Sequence, residues 1–240
     1  MQKVVICGGN GRVGTALADS FAAKKWDVYK IDHVIEQPKH IANIYEIPCD
    51  LANISSVDKV FNEIGNIDVL INCVRYRNTN EQREHWDEAF KVGLNTYYNS
   101  CSVLCEKATK NKHPCSIINI SSILSILVSL KQSISYHAVK GAINQMTRHL
   151  ALKYGSYNIR ANSILPGLIG PPMNDQLVLE RDRLFKKAIP LKHCGTFEDL
   201  FNLVYFLSIP ASKFITGQNI ILDGGLSIRE QCGVIDDCFF

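Results

Sequence analysis

Short runs of β-branched and apolar residues alternate with longer stretches of helical period along this sequence. That alternation is the pattern of an α/β protein with a parallel sheet, because each parallel strand needs a crossover before its neighbour. The expected strands are Lys3–Cys7, Asp27–Ile31, Ile44–Cys49, Asp68–Cys73, Ser116–Ile120, Ile159–Ile164 and Asn219–Leu222, all short enough to be buried on both faces. The expected helices are Arg12–Lys24, Ser55–Ile64, Arg83–Thr109, Ser133–Tyr154 and Phe197–Leu207, with Ser55 and Thr196 as N-caps. Seven strands with helices between them predict a doubly wound sheet.

Composition removes several function classes. The 26 basic and 23 acidic residues leave a formal charge of +3, too mild for an electrostatic grip on nucleic acid. Nine cysteines, an odd number, with no Cys-x-x-Cys pair and an N-terminus without an apolar leader, fit the cytoplasm. Cys101 and Cys105 have helical spacing and read as buried apolar thiols, so no metal is expected. The longest apolar stretch, Cys115 to Leu130, falls short of the ~20 residues a membrane span needs and reads as a strand entering a loop.

Two regions break the rhythm. Residues 167–195, with Pro171, Pro172 and Pro190, predict a mobile excursion over the carboxyl edge of the sheet. Residues 231–240 follow no period and end Cys-Phe-Phe, an apolar tail that would pack on its own subunit or on a neighbour.

The first strand runs into Cys7-Gly8-Gly9-Asn10-Gly11-Arg12-Val13-Gly14 and then a helix. Glycines between a buried strand and a helix N-terminus let backbone approach a pyrophosphate, and the helix dipole favours that anion. The second strand ends at Asp32, where an acidic side chain accepts from ribose hydroxyls and repels a 2′-phosphate. This argues for NAD over NADP, with Arg12 and Lys30 as the competing features.

Tyr136 and Lys140 are four apart in a helical stretch and share one face. A phenol is a poor acid/base near neutral pH unless the phenolate gains about 4 kcal/mol of preference, which an adjacent ammonium can provide. The preceding strand ends in Ser121-Ser122 on the same side of the sheet as the glycine loop.

With these motifs the chain resembles the short-chain dehydrogenase/reductases, from Lys3 to about Gly225. Further matches are Cys49-Asp50-Leu51, Asp68-Val69-Leu70-Ile71-Asn72, the run Arg160 to Gly167, and Ile215-Thr216-Gly217-Gln218 through Leu222-Asp223-Gly224-Gly225. The resemblance implies a Rossmann fold in which residues 1–240 form a single NAD(P)-binding catalytic domain. It implies an oxidoreductase that interconverts an alcohol and a ketone by hydride transfer. Tyr136 would be the general acid/base and Lys140 its partner and a ribose ligand. Ser122 would polarise the substrate carbonyl, and Asn95 would hold a relay water. Gly8, Gly9, Gly11, Arg12, Val13 and Gly14 would surround the diphosphate, with Asp32 on the ribose. Asp50 and Leu51 would line the adenine pocket, Asn72, Cys73 and Val74 would bring backbone against the adenine ribose, and Pro166, Gly167 and Ile169 would pack on the nicotinamide. The long helices would form a four-helix contact, with a second contact near the last strand, giving a homodimer or homotetramer.

The sequence departs from the family at the loop, where Cys7 and Arg12 replace a threonine and a glycine, and at Asn72-Cys73-Val74-Arg75, where Asn-Asn-Ala-Gly is usual. Arg75 and Arg77, with Arg181, Arg183, Lys186 and Lys187 in the excursion, suit a small anionic or sugar-type substrate. The same side chains on a mobile surface would also simply be solvated. The alternative function is a catalytically silent dinucleotide-binding regulator or scaffold, a reading that retention of Asn95, Ser122, Tyr136 and Lys140 opposes. Oxidation of Cys7 or Cys73, beside the expected cofactor, would block its binding.

Overall fold

The computed structural model describes residues 2–34, 42–76, 83–170 and 187–228. Seven strands form one parallel sheet: β1 (Lys3–Cys7), β2 (Asp27–Asp32), β3 (Ile44–Pro48), β4 (Val69–Asn72), β5 (Cys115–Ile120), β6 (Ile159–Pro166) and β7 (Asn219–Leu222). Their order is β3-β2-β1-β4-β5-β6-β7, the doubly wound Rossmann arrangement expected. The helices are α1 (Arg12–Ala23), α2 (Ile54–Ile64), α3 (Arg83–Phe90), α4 (Thr96–Asn111), α5 (Ile134–Tyr154) and α6 (Phe197–Ser208). Among the described residues, no helix is long and apolar enough to cross a membrane.

Strand alternation explains the two helical layers. In β1, Val4 and Ile6 pack with Leu17 and Phe21 of α1 and Leu200 and Val204 of α6, whereas Val5 and Cys7 pack with Val57 and Phe61 of α2 and Leu104 of α4. Each such buried side chain contributes about 1.5–3 kcal/mol. Cys101 and Cys105 are fully buried packing residues in the second layer.

Local chemistry moved two boundaries. Asn53, not Ser55, caps α2, its side chain accepting from Ser55 N at 3.0 Å and Ser56 N at 3.1 Å. Thr196 caps α6 as expected and pairs with Asp199 in a reciprocal capping box. The single helix expected over Arg83–Thr109 is interrupted by a π turn at Lys91–Asn95. Gly93 lies in that turn, where a Cβ would sit 3.0 Å from Val139 Cγ1, so α5 packs closely against a position with no side chain. Of the excursion, Ile169 and Gly195 pair as a bridge that brings its two ends together. Its residues 171–186, with Pro171, Pro172, Arg181, Arg183 and Lys186, lie outside the described residues, as do Arg77 and the tail 231–240.

A buried polar chain ties the strands to the second layer. Asn72 Nδ2 donates to Asn119 Oδ1 at 2.9 Å, Ser100 Oγ to Asn72 Oδ1 at 2.7 Å, and Asn119 Nδ2 to Thr147 Oγ1 at 2.9 Å. Removing one member strands its partners away from water. Asn119→Ala is therefore expected to lower the free energy of unfolding in urea by about 2–4 kcal/mol, against about 1 kcal/mol for an ordinary substitution.

Candidate functional site

Crossovers leave β1 and β4 toward opposite faces, which opens a crevice beyond their carboxyl ends. A cleft of about 510 Å³ lies there, in the size range of small-molecule and cofactor sites. Gly8, Gly11, Arg12 and Val13 line it from the glycine loop, Asp32 from β2, and Cys73, Val74 and Arg75 from beyond β4. Ser121 and Ser122 reach it from the end of β5, Tyr136 and Lys140 from α5, and Pro166, Gly167 and Ile169 from the end of β6.

The loop fits a diphosphate. Gly8 has φ +84°, and a Cβ there would lie 2.8 Å from Val74 N, so only glycine brings the backbone this close. Helix α1 begins after Gly11 with no side-chain cap, leaving first-turn N–H groups, including those of Arg12 and Val13, for an anion. Gly9 and Gly14 do not line the cleft; they pack the loop, Gly9 against Lys30 and Gly14 against the Gly8 carbonyl. The Asp32 carboxylate accepts from Asn10 N at 3.0 Å and His33 N at 2.8 Å. Lys30 is buried and ion-paired with Glu46. The Arg12 guanidinium lies 5.9 Å from the Phe197 ring centroid and so leans toward α6.

On α5, the Ser133 side chain caps the first turn by accepting from Tyr136 N at 3.2 Å. His137 ties down the preceding loop: its Nε2 accepts from Ser129 N at 3.1 Å and its Nδ1 lies 2.8 Å from Ser133 O. Tyr136 thus has a fixed neighbour on the next residue that no motif marked. Lys140, 4% exposed, sits one turn further on, its Nζ 6.0 Å from the Tyr136 ring centroid. Burial lowers its pKa to about 7, with Arg75 acting in the same direction and Cys73 against it. The Arg75 guanidinium lies 5.4 Å from the same tyrosine ring and donates to Gln132 Oε1 at 3.4 Å.

Geometry separates the two serines. Ser121 Oγ donates to Lys140 O at 2.9 Å, so its proton is spent inside the protein. Ser122 Oγ accepts from Leu124 N at 3.1 Å, which keeps its own O–H for the cleft.

Besides Gly9 and Gly14, four expected site residues do not line this cleft. Asn95 is exposed at the end of the π turn, while Gly93, two residues earlier, is the buried position that faces Val139 of α5. Asp50 is exposed and accepts from Ala52 N at 3.0 Å. Leu51 is buried in the second layer, and Asn72 is committed to the buried polar chain. Conversely Asn10, Val92, Ile120 and Leu200 line the cleft without having been singled out. Asn10 stood within the glycine loop, whereas the other three carried only a generic apolar signal.

Burial holds the Cys7 thiol well above the usual range and pushes Cys73, which lines the cleft, up to about 12, so the thiolate is disfavoured at both. Among the described residues, no group of three or more His, Cys, Asp or Glu could hold a metal ion.

Comparison with known proteins agrees with this geometry. A family model described as enoyl-(acyl carrier protein) reductase matches residues 10–227. A tropinone reductase homologue of Arabidopsis thaliana is 29% identical over 248 residues, covering 95% of this chain and 92% of that protein. The 3-oxoacyl-[acyl-carrier-protein] reductase FabG of Thermotoga maritima is 32% identical over 176 residues, covering 72% of this chain and 71% of its own. Among solved structures, a short chain dehydrogenase of Leptospira borgpetersenii with bound NAD+ superposes with a TM-score of 0.86 at 25% identity, covering 94% of this chain and 92% of the other. A dinucleotide cleft at the switch point, a Tyr-x-x-x-Lys pair at its inner end and these matches lead to one conclusion: the chain belongs to the short-chain dehydrogenase/reductase family, oxidoreductases of the CH–OH/C=O pair that use a nicotinamide dinucleotide.

Proposed function

We propose that the chain interconverts a ketone and a secondary alcohol, with Tyr136 as general acid/base and Ser122 as the hydrogen-bond donor to the substrate oxygen. The observation that carries this reading is the meeting of Ser122, Tyr136 and Lys140 in one cleft with the glycine loop. Arg12 and Val13 N–H groups would hold the diphosphate, Asp32 the adenosine ribose, and Pro166, Gly167 and Ile169 the nicotinamide end. When bound, the nicotinamide supplies or accepts the hydride. Ser122 polarises the carbonyl and fixes its oxygen. Tyr136 delivers the proton to that oxygen in reduction and removes it in oxidation. Lys140 and Arg75, 6.0 and 5.4 Å from its ring, balance the negative charge on the phenol once its proton has left. Lys140 would also reach a ribose hydroxyl.

NAD is the preferred cofactor in this reading. Asp32 faces the cleft as a carboxylate, Lys30 is occupied by Glu46, and Arg12 leans toward Phe197, so no cation among these three offsets Asp32 against a 2′-phosphate. The exposed Tyr98 and Leu152, on α4 and α5, support a contact between copies of the chain through these helices. Purified protein is expected to oxidise NADH with ketone or keto-sugar acceptors at a kcat/KM at least 10-fold above that with NADPH. Tyr136→Phe is expected to lower kcat by about 10²-fold or more while the melting temperature holds. Turnover surviving in the variant contradicts the mechanism, and preference for NADPH contradicts the cofactor assignment.

The substrate is proposed to be anionic. Arg75 is exposed at the cleft wall beside Tyr136, where its guanidinium fork can meet a carboxylate or phosphate near the reacting carbonyl. Arg75→Glu is expected to raise KM for keto acids or keto-sugar phosphates about 10-fold or more and to leave KM for neutral ketones within about threefold, because charge reversal changes binding only of a charged ligand and its effect on the Tyr136 phenol is read in kcat. An unchanged KM for anionic substrates overturns this assignment.

A further inference from the structure

Asn95 does not face Lys140, and another side chain does. Lys140 Nζ donates to the Ile120 carbonyl oxygen at 3.0 Å and to the phenolic oxygen of Tyr97 at 3.3 Å. Tyr97 lies in the first turn of α4, two residues past Asn95, and is fully buried. Its Oη lies 2.9 Å from Ile120 O and 3.1 Å from Val74 O. A phenol has one proton, which goes to one of these carbonyls, and its lone pairs then face the ammonium.

We propose that Tyr97 is the positioning residue for Lys140: its buried hydroxyl accepts from the ammonium, aims the lysine along the cleft and supports its charged form without touching substrate or cofactor. This rests on the reading of Lys140 as Tyr136's partner. Packing alone does not account for the hydroxyl. The ring sits among Ala89, Val139 and Ile143, a seam that phenylalanine would fill equally well. The hydroxyl belongs instead to a closed set with the Ile120 and Val74 carbonyls and Lys140, and it occupies two of the three ammonium N–H directions together with Ile120 O. The third is left for the cleft, which Lys140 lines beside Tyr136.

Among the remaining ionisable neighbours, Cys73, just beyond β4, favours the ammonium only as a thiolate, which its own burial disfavours. Arg75, in the loop beyond it, is a like charge that disfavours the ammonium. Tyr136, on the same helix as Lys140, is the group the ammonium serves. With burial lowering the Lys140 pKa to about 7, loss of one acceptor moves the lysine between mostly charged and mostly neutral at working pH.

The test titrates Lys140 directly in the full chain. Trace acetic anhydride from pH 5 to 10, with Lys140 acetylation read by mass spectrometry, gives its protonation curve without requiring turnover. Tyr97→Phe is expected to move that curve about one pH unit toward acid and to lower kcat roughly 10-fold with KM within about threefold. Replacement of Tyr97 by 3-fluorotyrosine, a poorer acceptor that keeps the hydroxyl and the packing, is expected to move it the same way by less. Curves that coincide for wild type and both variants overturn the proposal and leave Tyr97 a core residue. A shifted curve in a protein that reduces no ketone supports the positioning role and defeats the oxidoreductase mechanism, so the two failures are distinct.

Discussion

A charged amine removed from water must be met by acceptors, and the interior of this protein is arranged around one such amine. Lys140 hangs from α5 into a space bounded by the end of β5, the start of α4 and the loop beyond β4. Each of these contributes to it: Ile120 gives a carbonyl, Tyr97 a hydroxyl, and Val74 the carbonyl that anchors the hydroxyl. Burial of this kind costs stability, and a site that needs a cation against a reacting phenol keeps it despite that cost. The π turn belongs to the same arrangement. It ends one residue before α4, and Gly93 within it admits Val139 of α5, which brings the two helices together at the depth where the lysine needs its partner.

The cleft has two chemically different ends. Toward β1 and β2 it is made of backbone: an uncapped helix N-terminus, a glycine with positive φ, and a single carboxylate at Asp32. Toward α5 it is made of hydroxyl-bearing and basic side chains, Ser122, Tyr136, Lys140 and Arg75. The glycine loop departs from the family pattern at Arg12, yet that side chain stacks on Phe197 and leaves the backbone donors free. Cys7, in place of a threonine, is buried in the second layer. Neither side chain covers the uncapped first turn of α1.

How far the sequence carried depended on the range of the physical signal. Strands and most helices follow from local periodicity, which is why all seven strands lie within two residues of their expected ends. Tyr136 and Lys140 follow from helical spacing, and Ser122 from its place at a strand end. Asn95 was assigned by matching a motif of the family, and motif matching does not show which residue of the π turn faces α5: Gly93 does, and Asn95 is exposed. The side-chain role of Asn72 was not legible, because its partners Asn119 and Ser100 lie far along the chain, 47 and 28 residues away. Tyr97 was illegible for the same reason: it is 43 residues from Lys140, and nothing local distinguishes it from the adjacent, exposed Tyr98. The resemblance already favoured Ser122 over Ser121, and a physical reason for that choice, the Ser121 proton taken by the Lys140 carbonyl, was not visible in the sequence.

The central claim is that Lys140 is a buried cation kept for chemistry at the expense of the fold. With its pKa near 7 in the folded chain and 10.5 as the ordinary value, the unfolded chain binds the extra proton between these pH values. Wild-type stability should therefore rise with pH across that window, and the full penalty, up to about 5 kcal/mol, is present at and below pH 7. Methionine fills the same space with no charge, and Tyr97 and Ile120 still bond to each other without the lysine. Urea unfolding of wild type and Lys140→Met from pH 6 to 10, with turnover measured alongside, is the most direct measurement. The account predicts a variant without turnover that is more stable than wild type near pH 7, with the advantage shrinking as pH rises toward 10. A Lys140→Met protein that is less stable than wild type at pH 7, or that still reduces ketones, would contradict it.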